Sequence, residues 1–369
     1  MGTVAKNTTA SSHSMLGWLQ GLRGLSAFLV LGYHFASMLN SKDSNLGWFL
    51  FGAGYIGVDI FFVISGFLMV YVTAQPHEQR SVPFLIKRAF RIMPVLWVVV
   101  LATALSRGVP LSGLFSGAIL ESLFFILPST EAPQYGQGYI DVLWTLSFEI
   151  SFYLIFALSM FISSRFRVFV ASLIILTMIF GLQHVFAGAY TLNTDLAPPY
   201  NGKLYPQSNI SILANPYFIQ FIPGMIFGEL YVRLHKKKNY FLQFCGLVMV
   251  FAFFYIYLYR PGLLPLQNKI SVAMPWVVML VAGCLVFEKF SDYKAPRLMI
   301  IAGNLTFAIY LCHLPVRDIL DSCEYFKPIS ELPGIQKFFI YTGLSYLIAY
   351  GLYRTVEKPA INMGRRLAR

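Results

Sequence analysis

Apolar runs of about 20 residues, separated by short polar or Pro/Gly-bearing breaks, recur from one end of this sequence to the other. In a helix such a run matches a bilayer hydrocarbon core about 30 Å thick. Ten can be drawn: Leu16 to Leu39, Trp48 to Val72, Met93 to Leu105, Asp141 to Ile162, Val168 to Phe186, Leu213 to Leu234, Tyr240 to Tyr259, Ile270 to Phe287, Leu298 to Val316 and Phe338 to Val356. The third is short, and Leu111 to Leu127 adds an apolar stretch suited to a re-entrant or interfacial helix. Composition agrees: 57% of the 369 residues are hydrophobic and 12% are charged, against roughly 25% charged in a soluble chain. Too few polar side chains remain to cover a globular surface. The expected fold is all-α, a polytopic transmembrane bundle of about ten spans, with a polar tail over 1–15, a membrane domain over 16–358 and a basic tail over 359–369.

The formal net charge of +12 reads first as topology. With the amino terminus in the cytoplasm, most of the 28 Lys and Arg residues fall inside, including Arg80, Arg165, Arg167, Arg233, Lys236 to Lys238, Lys289, Lys294 and Arg297. That is the positive-inside pattern, and it places both termini in the cytoplasm. Membrane lipids are the expected surroundings, and no nucleic-acid partner is implied. Four cysteines without CxxC spacing argue against a disulfide framework or a zinc site, so no metal is expected. The polar segment before Leu16 lacks a cleavage signature, which predicts a retained first span. No internal repeat or inverted pair of broken helices of the transporter kind stands out.

Charged groups inside a membrane are costly and need a partner, a cavity or a function. Arg23 and His34 lie eleven residues apart on the first span, within about 20° of one face and about 16 Å apart along the axis. That face either seats an anionic group at Arg23 with a base at His34, or carries a snorkelling cation and an interhelical hydrogen bond. Asp59, between Gly54, Gly57 and Gly66, is suited to orienting a neighbouring His or Arg. Glu149 lies about eight residues into its span, so its depth is expected to match that of His34, with Tyr153 on the same face. Lys87, Arg88 and Arg91 share a helix face that either grips phosphates or flanks a span. His313 and Tyr310 share a face near the end of the ninth span, which Pro315 is expected to end or kink. Glu229 and Arg233 are expected to pair.

Taken together, these segments resemble acyltransferase family 3, bacterial inner-membrane O-acyltransferases. Leu22-Arg-Gly-Leu with His34 resembles the family's Arg-x10-His, and the stretch Gly57 to Leu68 its second-helix signature. Arg88-Ala-Phe-Arg-Ile-Met-Pro94 resembles its RxxRIxP run, and Trp144-Thr-Leu-Ser-Phe-Glu149 with Phe152-Tyr153 its WxLxxE-x2-FY motif. The stretch Gly303 to His313 resembles its ninth-helix pattern, with Thr306 and Phe307 where Ser and Tyr are commoner; Glu357-Lys-Pro359 fits its usual ending. Many members carry a fused SGNH hydrolase-like domain, and this chain resembles the stand-alone branch.

The resemblance implies an acyltransferase in the bacterial inner membrane. Its acyl-CoA co-substrate, most often acetyl-CoA, is cytoplasmic, and its acceptor is a hydroxyl of an extracytoplasmic glycan or lipid-linked sugar. No permanently bound cofactor is implied. It makes His34 the base with Arg23 as essential partner, and sets Lys87, Arg88 and Arg91 near the cofactor phosphates. Asp59 or Glu149 would orient the imidazole, and Trp144, Tyr153, Tyr310 and His313 would line the substrate site. Direct attack and an acyl-His34 intermediate both stay open, as does homo-oligomerisation. The rival from another class is a non-enzymatic polytopic carrier or flippase for a glycan or acyl group, which needs neither CoA nor a single base.

Overall fold

The computed structural model describes residues 16–126, 138–195, 207–265 and 270–368, together with Ala132 and Tyr135. The tail over 1–15 and Leu127 lie outside the described residues. The architecture is a polytopic all-α bundle. Ten long helices follow one another: α1 Gly17–Phe35, α2 Ile56–Val72, α3 Ser81–Ser106, α4 Leu143–Ile162, α5 Arg167–Ala187, α6 Phe221–Arg233, α7 Tyr240–Tyr259, α8 Met274–Phe290, α9 Arg297–Ser322 and α10 Gly334–Leu352, before a terminal helix α11 at Lys358–Leu367. Among the described residues the only β pairing is the isolated bridge between Ser41 and Ser44.

Eight helical segments, those containing α1 to α7 and α9, are long and apolar enough to cross a membrane. The helices at the other two expected spans, α8 with 17 residues and α10 with 19, fall outside that group. Large apolar side chains point away from the bundle: Phe169 and Leu173 on α5 and Phe241, Phe244 and Phe251 on α7 are each more than half exposed. Such a surface is sustained by lipid.

The interior divides into two apolar clusters that meet at α2. Val58, Phe62 and Met69 face the cluster of α3 to α6, while Ile60, Val63, Ile64 and Phe67 face that of α1 and α7 to α10. The closest pairings are α2 with α6, α1 with α9 and α7 with α8. Without a hydrophobic drive between helices in lipid, such contacts depend on small residues that let backbones approach. Gly57 meets α1 at the Ser26 carbonyl, and Gly66 and Gly224 bring α2 and α6 together so closely that a Cβ on either would strike the partner's backbone. The approach expected from the glycines around Asp59 is present on both sides of the helix. The start of α1 is held by α8: Glu288 Oε2 accepts from the Trp18 and Leu19 amides at 2.6 and 3.1 Å, filling the orphan donors of a helix N-terminus.

Three expectations change. The third span is no short helix from Met93 but the 26-residue α3, which carries the basic run and Pro94 within it. Over the described residues 111–126 there is no single helix: a 3-10 turn at Leu111–Phe115 precedes a short helix at Gly117–Leu123. Of the two roles expected of Pro315, ending the helix is overturned, because α9 continues to Ser322. Proline forfeits one backbone hydrogen bond there, while the helix beyond it buries Val316 and Leu320. Glu229 does pair with Arg233, at 2.7 Å, and its other oxygen lies 3.9 Å from Arg167.

Gly224→Val should lower the stability of the detergent-solubilised protein by about 1–3 kcal/mol, the usual cost of overpacking. Gly181→Val is the matched control, since a Cβ there meets nothing within 4 Å. Thermal unfolding of the two variants side by side measures the difference, and equal melting would mean that α2 and α6 are not in backbone contact.

Candidate active site

A cavity of about 270 Å³ lies inside the bundle, at the small end of the range for ligand pockets and suited to a slender arm rather than a whole nucleotide. Helical spacing builds its polar wall. Thr145, Glu149 and Tyr153 follow one another at four-residue steps on α4, as do Thr306 and Tyr310 on α9. Gln20 and Arg23 on α1 and Arg88 and Arg91 on α3 are pairs three apart, and Arg365 arrives from α11. Four guanidinium groups and one carboxylate therefore line the same space, and its net charge suits an anionic ligand.

Glu149 Oε1 accepts from the Tyr153 hydroxyl and, at 3.2 Å, from Ser65 Oγ on α2. Arg23 Nη1 donates to Gln20 Oε1 at 2.8 Å, and its charge is within range of Arg91, Glu149 and Glu357. The Arg88 guanidinium lies over the Phe84 and Tyr153 rings, 5.6 and 5.9 Å from their centroids. Its Nε is buried with no hydrogen-bond partner. An unpaired donor on a buried cation is expensive, so this wall is ready for an acceptor atom.

At the opposite end from the arginines, Thr145 Oγ1 and Tyr310 Oη share a hydrogen bond of 2.7 Å. This rung divides the helices into two levels. One turn along α9 from Tyr310 lies His313, 1% exposed, with its ring centroid 6.2 Å from Tyr310 and 5.3 Å from His34. His34 is half-buried at the end of α1. Neither histidine is among the residues lining the cavity.

This corrects the depth expected of Glu149. It lies one turn beyond Thr145 in the opposite sense, so it stands with Arg23 and not at the level of His34. Counting along a span fixes relative depth only if all helices start level. Asp59 is fully buried but accepts from Gln220 Nε2 at 2.6 Å. Lys87 departs from the phosphate-gripping set: it forms an ion pair with Glu78 and is not among the cavity-lining residues. Trp144 is not among them either; its ring packs against Phe148 and Tyr217, with centroids 6.1 and 5.7 Å away. The residues gathered as expected are Arg23, Arg88, Arg91, Glu149, Tyr153 and Tyr310 at the cavity, with His34 and His313 side by side beyond the rung.

The acyltransferase domain family matches residues 16–354. The chain belongs to the acyltransferase 3 family. It is 29% identical over 325 residues to the exopolysaccharide production protein ExoZ of Rhizobium meliloti, covering 85% of this chain and 92% of ExoZ. It is 24% identical to the peptidoglycan O-acetyltransferase OatA of Listeria monocytogenes, over 96% of this chain and 57% of the relative. It is 26% identical to the O-acetyltransferase OatA of Staphylococcus aureus, over 94% and 58%. The chain thus spans little more than half the length of the two OatA proteins. No solved structure matches. Family membership makes the protein an acyltransferase, and the cavity and histidine pair are its candidate machinery.

Two contributors escaped the sequence reading. Arg365 falls in the expected basic tail, yet 358–367 is a helix whose Gly364 packs against Phe90 of α3. Proline at its start and arginines confined to its last turn were the available signals. Gln220, which holds Asp59, sits in a 3-10 turn before α6 and carries no motif.

Proposed function

We propose that the protein transfers an acyl group, acetyl in the first instance, from cytoplasmic acyl-CoA to a hydroxyl of an extracytoplasmic glycan or lipid-linked sugar in the bacterial inner membrane. The observation that carries this reading is the pairing of a cationic cavity and an imidazole on one helix, Arg23 and His34 of α1, with about 16 Å of rise between them. Exopolysaccharide and peptidoglycan in the names of the relatives support a glycan acceptor. The excess of Lys and Arg toward the Arg23 end supports a cytoplasmic donor side.

In this reading Arg88, Arg91, Arg365 and Arg23 hold the phosphates at the mouth, and the pantetheine arm enters between Glu149 and Tyr310. His34 takes the proton of the acceptor hydroxyl as its oxygen bonds to the thioester carbonyl carbon. The C–S bond breaks, the thiolate departs, and the proton passes from His34 to sulfur. His34 is regenerated neutral, and the ester and free CoA thiol are the products.

Three measurements test this. His34→Ala should reduce transfer by about 10² to 10⁴, the range of general acid–base catalysis, while the variant melts normally; a wild-type rate would remove His34 from the chemistry. Arg88→Gln and Arg91→Gln should each weaken acyl-CoA binding about tenfold to a hundredfold, the loss of one charge-assisted contact of about 1.5–3 kcal/mol. Lys236→Gln, at an exposed position, should bind like wild type in the same detergent calorimetry, and equal binding by all three would sink the assignment. Orientation is read from Cys323, exposed just past α9, whereas Cys284 and Cys312 are buried and Cys245 half-buried. An impermeant thiol reagent should label Cys323 in intact spheroplasts; labelling only after lysis would invert the donor and acceptor sides.

A further inference from the structure

His313 touches no part of the cavity, yet its chemistry is tightly defined. Its Nδ1 lies 3.0 Å from the Ile309 carbonyl oxygen. A carbonyl only accepts, so Nδ1 carries the hydrogen and Nε2 keeps its lone pair. That Nε2 is buried with no hydrogen-bond partner. A buried acceptor left unpaired calls for a donor.

The ring beside it is His34, with centroids 5.3 Å apart and planes at 43°. An imidazole nitrogen sits about 1.1 Å from its ring centre and an N–H···N contact spans about 2.9 Å, so two rings bonded head to head have centres about 5.1 Å apart. The observed separation is that of such a pair. The terminal torsion of His34 is broad, so its ring is free to turn a nitrogen toward that partner. The carboxylates expected to orient His34 bond elsewhere: Asp59 accepts from Gln220, and Glu149 accepts from Tyr153 and Ser65. The charged group within range of both rings is Arg317, itself bonded to Asp318 at 2.8 and 3.1 Å.

We propose that His313 is the positioning residue of His34. Its Nε2 accepts the His34 ring N–H and fixes the tautomer whose other nitrogen meets the acceptor hydroxyl. The inference rests on the reading of His34 as base. When His34 takes the hydroxyl proton, its N–H toward His313 becomes charge-assisted and the contact strengthens. An interaction stronger in the transition state than in the ground state raises kcat and leaves KM alone. The proton taken from the hydroxyl stays on the other nitrogen of His34 until it passes to sulfur, and the Nδ1–H of His313 holds its ring on the Ile309 carbonyl.

The test uses the full chain in detergent or membranes, with acetyl-CoA as donor and surface polysaccharide of the producing strain as acceptor. His313→Leu removes the acceptor atom, and His313→Gln returns one as an amide oxygen. The Leu variant should lose about 10²-fold in kcat with both KM values within about twofold, and the Gln variant should recover about tenfold of that loss. If the Leu variant melts early, His313→Met, a flexible side chain that fills the same space, replaces it. A wild-type kcat without the acceptor atom would overturn the proposal. So would equal loss in the Gln and apolar variants, which marks packing, or a rise confined to the acceptor KM, which marks substrate binding. His34→Ala runs beside them. If it keeps the wild-type rate, the base reading itself falls; if it is inactive while His313→Leu is not, the present inference falls alone.

Discussion

A guanidinium group surrounded by hydrocarbon has five donors and nothing to give them to. That constraint organises this protein. Arg23, Arg88 and Arg91 belong to helices that otherwise bury apolar residues, and burying them is tolerable only around a shared polar space. Glu149 supplies the one carboxylate of the cavity wall, and Tyr153 and Ser65 fix its orientation by donating to it. The helices α1, α2, α3, α4 and α9 must therefore converge on this point. Glycine contacts such as that of Gly57 at Ser26 let them do so without Cβ atoms holding the backbones apart.

The same economy separates two kinds of chemistry. Below the Thr145–Tyr310 rung the wall is cationic and suits an anionic ligand. Beyond it lie two imidazoles, one half-buried and one enclosed, with the nearby Arg317 already matched by Asp318. In the proposed function the base belongs at such a place. An imidazole among the four arginines would be held neutral by their field and would compete with their ligand for space, whereas one rung away it meets a neutral neighbour.

Much of this was legible in the residues. The ten apolar runs and the face shared by Arg23 and His34 follow from periodicity alone, because lipid imposes helix on every span and helix imposes 3.6 residues per turn. The level of Glu149 was not, because relative depth between helices is set by where each begins and how it tilts. The Gln220 contact of Asp59 was hidden for a related reason. The position of Asp59 among glycines announces close packing, but the group it meets, Gln220, lies in an irregular turn without periodic signature. Lys87 and Arg88 are neighbours in sequence, yet about 100° apart around α3, and that angle alone sends one to Glu78 and the other to the cavity. Arg365 was hidden by its setting: a basic end reads as a charged flank until a helix docks it.

The rung also bears on how an acyl group would cross the bundle. Tyr310 and Thr145 line the cavity and His34 does not, so in the proposed transfer a thioester passing from one level to the other would have to part them. A single hydrogen bond between neutral groups contributes about 0.5–1.5 kcal/mol net. By itself that bond favours the closed pairing by about tenfold or less. A salt bridge in the same place would be far harder to open in a low-dielectric interior. α9 thus carries both the Tyr310 phenol at the cavity wall and the His313 imidazole one turn beyond it.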